Sequence, residues 1–230
     1  KVLVRAAPMG PQWRQSPEQD QESPAPSIHD RARENLEFIR STMSNSASFT
    51  GVPGLGMMAM GCIALAGGFA ATRQDNWERW LWCWTMVAFA GCGVGVAAML
   101  VKAHLRNRSL WEGSARRFLL NFSPAIVAGA VLGEAYFEMQ PSYAAGGDSF
   151  MPALWLMLYG AAVISGGAFS VKPVSIMGVC FMAAGVLTIF LPTDPLPIAG
   201  VVRPYDVVLA VSFGGLHLEF GALIALRHGG

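Results

Sequence analysis

The sequence predicts an all-α polytopic membrane protein, with six transmembrane helices preceded by a cytoplasmic amphipathic helix. Three observations lead to this fold class. Hydrophobic residues make up 53% of the 230 residues and charged residues only 13%, about half the charged share of a soluble domain. Six apolar runs are each long enough to cross a bilayer. The net charge of +1 lacks the basic excess of nucleic-acid-binding proteins, so no nucleic-acid partner is expected.

The N-terminal region divides into a tail and a helix. Residues 1–26 are rich in Pro, Gln and Ser, which predicts a tail that is disordered or bound to a partner. Residues 27–50 repeat apolar side chains at intervals of three and four, the pattern of an amphipathic helix. Its polar face balances acidic and basic residues, which favours packing on the protein's own cytoplasmic loops or on a partner over binding to anionic lipid. An interfacial helix that only orients the first span is the alternative. We therefore expect a protein partner, or a second copy, at residues 1–50.

Residues 51–230 form the predicted transmembrane domain. Its first span ends near residue 72, and the other five cover about 80–101, 118–137, 150–171, 174–191 and 207–226. Cytoplasmic loops retain Lys and Arg during insertion. With a cytoplasmic N-terminus, the outer loops hold only Arg73, Arg79 and Arg203 of the 16 basic residues. The sequence therefore predicts that both termini are cytoplasmic.

The tryptophans and cysteines have informative positions in the sequence. Four tryptophans cluster at one outer boundary, where they predict an interfacial aromatic belt: Trp77, Trp80, Trp82 and Trp84. The four cysteines lie inside apolar segments without C-x-x-C spacing: Cys62, Cys83, Cys92 and Cys180. We expect them to be small buried hydrophobic residues, with no disulfide and no metal site.

Three ionisable residues fall within the spans and form the candidate intramembrane polar site: Glu134, His217 and Glu219. At about 1.5 Å per residue, Glu134 lies near the outer end of the third span, where it can snorkel to the interface. His217 lies near mid-bilayer and Glu219 in the inner half of the sixth span. His217 and Glu219 are two residues apart on one helix, so they point to nearly opposite sides.

Each of the two sixth-span residues has a structural and a functional interpretation. Glu219 forms an ion pair with Lys102, Lys172 or Arg116, or it exchanges a proton as a cavity opens and closes. His217 is hydrogen-bonded to the backbone or a hydroxyl of another helix, or it relays protons, or it ligates a tetrapyrrole. Haem b would need a second histidine at similar depth, and the other three lie outside the apolar core: His29, His104 and His228. Single-histidine ligation of a chlorophyll-type tetrapyrrole by His217 stays open, and no other cofactor is predicted.

Four stretches of the chain resemble a family of uncharacterised six-span bacterial inner-membrane proteins. They are LEFIRSTMSNSASF (residues 36–49), RRFLLNFSPAIVAG (116–129), LYGAA (158–162) and FGGLHLEFG (213–221). Members are often encoded beside a winged-helix transcriptional regulator, so the resemblance implies a regulated or stress-linked role. At Glu219 the family pattern has an apolar residue, so the resemblance extends to His217 but not to Glu219.

The sixth span also contains the glycines expected to let a neighbouring helix approach closely: Gly214, Gly215 and Gly221. The sequence lacks a phosphate-binding loop, a metalloprotease motif and a serine nucleophile elbow, so no enzymatic activity is predicted. We expect a non-enzymatic accessory, structural or sensory component of a larger assembly in the bacterial inner membrane. The alternative is a small proton-coupled transporter or channel with a polar pathway at His217 and Glu219.

Overall fold

The structure is a computed structural model that describes residues 28–46, 52–107, 111, 113–139, 149–194, 196 and 202–228. The elements in these ranges are helices, and six spans are long and apolar enough to cross a membrane. The all-α, six-span fold is therefore confirmed, and the chain is an integral membrane protein. The Pro-rich tail, residues 1–26, lies outside the described residues. The cytoplasmic placement of both termini stays a prediction.

Helix α1 covers Ile28–Ser46, inside the range predicted for the amphipathic helix. The chain divides into two compact units after Ser44, so α1 belongs almost entirely to the first unit. The described side chains of α1 are exposed, and Leu36, Phe38 and Ile39 are the large apolar residues among them.

The second unit contains the six spans. Five are single helices: α2 (Gly54–Ala71), α3 (Trp77–Leu105), α4 (Gly113–Met139), α5 (Phe150–Gly167) and α6 (Lys172–Ile189). The sixth combines α7 (Pro204–Leu209), a π-helix (Ala210–Leu216) and α8 (His217–His228). We call the π-helix the π segment. The sixth span begins at Pro204 and not at Val207, because proline is well suited to the first turn of a helix.

The spans pack in a row that differs from their order in the chain. Along the row, α3 packs on α2, α2 on the sixth span, the sixth span on α6, α6 on α5, and α5 on α4. Helices α3 and α4 are therefore first and last in this order of backbone contacts, but the row is curved, because Trp80 of α3 also contacts Tyr205 of the sixth span and Trp155 of α5. In α5, 50% of the apolar stretch is buried inside the protein, against 11% in α3.

Successive spans alternate in direction, so the bundle has two ends, which we call the Asp206 end and the Lys102 end. At the Lys102 end the ammonium of Lys102 is buried and donates to the Val52 carbonyl oxygen at 3.3 Å. This hydrogen bond connects the C-terminal end of α3 to the residue just before α2. At the Asp206 end the ring of Trp80 on α3 stacks on Trp155 of α5 at 6.1 Å, so side chains reach across the row.

The expected tryptophan belt is wrong for three of its four members. Trp77, Trp80 and Trp84 are buried, and only Trp82 is mainly exposed. The three buried residues recur at intervals of three and four, which places them on the face of α3 that points into the bundle. Trp82 lies on the other face.

The expected burial of the cysteines is also wrong. The four are free thiols, but Cys62 and Cys92 are exposed on the outside of the unit and Cys83 and Cys180 are half-buried. Exposure inside a spanning helix means contact with lipid and not with water, so apolar sequence context does not imply burial against protein.

Candidate functional site

Of the three ionisable residues predicted in the spans, His217 is the buried one, with 3% of its surface exposed. Its Nδ1 lies 2.8 Å from the Phe213 carbonyl oxygen, and its Nε2 lies 2.7 Å from the Tyr159 hydroxyl oxygen on α5. A carbonyl oxygen only accepts, so Nδ1 donates to Phe213. In a neutral ring, Nε2 then accepts the hydrogen of the Tyr159 hydroxyl. The imidazole is thus hydrogen-bonded to a hydroxyl group on α5, as one of the interpretations of the sequence expected.

Aromatic rings surround this hydrogen-bonded pair, and together they form what we call the histidine cluster: Phe122, Tyr159, Phe181, Phe213 and His217. The rings come from α4, α5, α6 and the sixth span. Phe181 meets the imidazole edge to face at 5.5 Å, and Phe213 lies nearly parallel to it at 6.4 Å. Tyr159 packs on Phe181 at 4.7 Å and on Phe122 at 6.0 Å. Contacts within the cluster therefore link four spans.

The π segment positions Phe213 and ends directly before His217. A π-helix bonds each N–H five residues back, and such insertions are rare and frequently occur at functional sites. Irregular backbone within a bilayer needs hydrogen-bond partners from the protein, because lipid supplies none. The imidazole supplies one here, since it donates to the Phe213 carbonyl. His217 therefore stabilises the irregular turn that precedes it.

The three glycines expected at a helix-packing seam have different surroundings. A Cβ at Gly221 would lie 2.8 Å from the Gly54 carbonyl oxygen of α2, so the two backbones are in contact there. Gly214 faces the same helix, where it lies against Leu65. A Cβ at Gly215 would meet only Val211 of its own span, at 3.8 Å. The seam against α2 thus includes Gly214 and Gly221 but not Gly215.

The two glutamates lie apart from this cluster. Glu219 is exposed on the opposite side of the sixth span from the buried His217, and it forms no ion pair with another residue in the described ranges. Glu134 is exposed on α4. The structure therefore does not bring the three predicted ionisable residues together.

A fourth ionisable residue, which the sequence analysis missed, is Asp206 at the start of the sixth span. Only 2% of its surface is exposed. Its Oδ1 accepts from Trp80 Nε1 at 2.7 Å, and its Oδ2 accepts from the Arg203 backbone N–H at 3.1 Å. Both carboxylate oxygens are thus hydrogen-bonded inside the protein, one by a neighbouring span and one by the start of its own helix.

The Trp80 side chain belongs to a second aromatic group, the tryptophan cluster: Trp77, Trp80, Trp84, Trp155 and Tyr205. Trp80 is fully buried, stacks on Trp77 at 4.5 Å, and meets Tyr205 edge to face at 5.7 Å. Trp84 lies 6.4 Å from Trp80 and 6.2 Å from Phe213, so it connects the tryptophan cluster to the histidine cluster. Its buried Nε1 has no hydrogen-bond partner among the described residues.

Asp206 was missed because the predicted span began one residue after it. The signal was present, since Pro204 followed two residues later by an acid is a typical helix start. Tyr159 was missed as the partner of His217 because the two are separated by 58 residues. No local pattern identifies which spans face each other.

Within the described ranges no group of three or more His, Cys, Asp or Glu side chains could hold a metal ion. Both ring nitrogens of His217 are engaged, so axial ligation of a tetrapyrrole through Nε2 would have to replace the hydrogen bond from Tyr159.

Comparisons with known proteins add no further assignment. No protein-family model, curated protein or solved structure matches the chain.

Replacing Tyr159 with phenylalanine should lower the free energy of unfolding by about 1–2 kcal/mol, because His217 Nε2 would stay buried without a donor. The measurement is equilibrium unfolding in detergent, as a double-mutant cycle of Tyr159→Phe with His217→Leu. We expect a coupling energy of about 0.6 kcal/mol or more between the two sites. Strictly additive effects would contradict the hydrogen bond.

Proposed function

We propose that this integral membrane protein is a non-enzymatic accessory, structural or sensory component of a larger assembly in the bacterial inner membrane. The proposal is carried by one observation. Helix α3 presents a face of small side chains to the outside of the bundle, and a Cβ added at Gly93 on this face would meet no described residue within 4 Å.

The exposed face of α3 has the composition of a helix–helix contact. Gly93 and Ala97 are both exposed and lie one turn apart, and a Cβ at Gly93 would meet nothing within 4 Å. Pairs of small residues at this spacing let two helix backbones approach closely in a membrane. Phe89 and Val96 beside them are also exposed. A transmembrane helix of another protein, or of a second copy, would cover this face.

The length of α3 supports the same proposal. Its 29 residues extend about 43 Å, whereas the 18 residues of α2 extend about 27 Å. A hydrocarbon core is about 30 Å thick, so α3 reaches beyond it. This extension offers binding surface outside the membrane.

The arrangement of the buried polar groups gives less support to a transporter. His217 uses both ring nitrogens within the protein, and Asp206 uses both carboxylate oxygens. Glu219 points away from His217. A polar pathway through His217 and Glu219 would therefore require these bonds to break and the sixth span to turn. Members of the family that the chain resembles are often encoded beside a transcriptional regulator, and this gene arrangement favours a sensory role over a structural one.

Replacing Gly93 with leucine should remove a stoichiometric partner from the protein purified in mild detergent from its native membrane. Leucine at this position would block close approach by a second helix while leaving the fold intact. Val179→Leu is the control, because Val179 is also exposed, lies on α6 and is outside the α3 face. The partner is quantified by mass spectrometry and by the mass of the intact complex.

Proton flux into liposomes distinguishes the two functions. The proposal expects the wild type to match empty liposomes. It would be overturned by a flux that disappears in His217→Ala and Glu219→Gln, or by a wild-type protein that is monomeric and without a partner.

A further inference from the structure

A groove between α2 and the sixth span opens on the membrane-facing side near the Asp206 end. Its volume is about 640 Å³, within the range of ligand pockets in proteins. Its walls are mainly apolar, with Leu65 and Phe69 on one side and Val207 and Val211 on the other. These four side chains are all exposed, so the groove is open to the bilayer. A molecule that fills it must itself reside in the membrane.

One cation lies in this groove. The guanidinium of Arg73 sits 4.0 Å from the centroid of the Phe69 ring, four residues earlier in the chain. An arginine at a membrane interface usually extends toward water. Here the side chain folds back along the apolar wall. It forms no hydrogen bond and no ion pair with any residue in the described ranges, so its N–H donors are available to a ligand.

The acidic groups near Arg73 do not neutralise it. Asp206 also lines the groove, but it is buried, and its two carboxylate oxygens accept from Trp80 and from the Arg203 backbone N–H. Asp75, the acidic residue nearest in sequence, is exposed and makes no ion pair with Arg73. The C-terminus of α2 is already capped by other side chains. The Thr72 hydroxyl donates to the Phe69 carbonyl oxygen, and the Gln74 side chain donates to the Ala70 carbonyl oxygen.

We propose that this groove, which we call the Arg73 groove, binds one phospholipid from the leaflet at the Asp206 end. The phosphate accepts hydrogen bonds from the Arg73 guanidinium, whose planar fork matches phosphate oxygens. One acyl chain lies between Phe69 and Val211. The distribution of basic residues predicts that this is the outer leaflet. The site does not depend on the assembly proposed above.

Native mass spectrometry in detergent, with phosphatidylglycerol added in steps, tests this site. The wild type should retain one tightly bound lipid, and Arg73→Gln should bind it about tenfold more weakly, through loss of a charge-assisted contact. Arg79→Gln is the matched control, because Arg79 is an exposed arginine at the same end but lies outside the groove. Its binding should equal that of the wild type.

Three further measurements test the phosphate contact and the acyl-chain contact separately. A diacylglycerol with the same chains should bind weakly, and equally to the wild type and Arg73→Gln, because it lacks the phosphate. Inorganic phosphate alone should not displace the lipid. Val207→Trp should fill the groove and prevent binding at an unchanged unfolding temperature, since Val207 faces lipid. Wild-type affinity in Arg73→Gln or Val207→Trp, equal affinity for diacylglycerol, or displacement by inorganic phosphate would overturn the proposal.

Discussion

Replacing Gly160 with leucine should destabilise the protein by about 3 kcal/mol or more, the upper end of the cost of overpacking. A Cβ at this position would lie 2.7 Å from the Gly178 carbonyl oxygen and 2.8 Å from the Met182 backbone nitrogen of α6. Backbone atoms cannot rotate away as a side chain can. The larger residue must therefore push α5 and α6 apart and weaken the most extensive helix pair in the bundle. Equilibrium unfolding in mixed detergent micelles, followed by circular dichroism, measures the loss.

Gly93→Leu is the matched control for this experiment. It makes the same chemical change in a spanning helix, but a Cβ at Gly93 would have no neighbour within 4 Å. Its free energy of unfolding should stay within about 0.5 kcal/mol of the wild type. Equal losses in the two variants would show that the larger side chain itself, and not contact between the backbones of α5 and α6, determines the effect.

The number of spans could be predicted because the thickness of the bilayer sets the length of each spanning helix. A spanning helix needs about 20 apolar residues, and segments rich in polar, Gly or Pro residues separate the runs. All six predicted spans are present, with small shifts at their ends. The sixth span begins at Pro204, three residues before the predicted start at Val207, and the difference includes Asp206. This small error at the boundary left a buried ionisable residue out of the candidate site.

The environment of each face could not be predicted as well. Trp77, Trp80 and Trp84 share one face of α3, and that periodicity was visible in the sequence. In a soluble protein, such a stripe indicates the core. In a membrane, lipid and protein interior are similarly apolar, so the same stripe fits either environment. Only the position of α3 in the row decides between them, and that position follows from contacts between residues distant in the chain.

The pairing of His217 with Tyr159 illustrates the same limit. A buried imidazole in a bilayer predicts a hydrogen-bond partner, and the sequence analysis expected one on another helix. Several spans contain hydroxyl groups, and no local pattern in the sequence shows that Tyr159 of α5 reaches the sixth span. The wrong prediction for Gly215 has a related cause. Gly214 faces α2, whereas the adjacent Gly215 points to a side of the sixth span that does not contact α2.

Replacing Trp80 with alanine should destabilise the protein by about 3–5 kcal/mol, the cost of truncating a large buried aromatic residue. Trp80 is fully buried, and its ring contacts Trp77, Trp84, Trp155 and Tyr205. Alanine would leave a cavity where α3, α5 and the sixth span meet. It would also remove the N–H that donates to Asp206. Trp82→Ala is the control, because Trp82 is mainly exposed on the same helix and should lose less than about 1 kcal/mol.

Trp80→Phe separates the hydrogen bond from the packing. Phenylalanine retains most of the ring contacts but cannot donate, so Asp206 Oδ1 would stay buried and unpaired, at a cost of about 1–3 kcal/mol. Asp206→Asn should cost a similar amount, because an amide can present only one oxygen while Trp80 and the Arg203 backbone both donate. Once either partner is changed, the second change removes less, so the double variant should be more stable than the sum of the single losses predicts. Additive losses would mean that the indole and the carboxylate stabilise the Asp206 end independently, through packing on α3 and capping of α7.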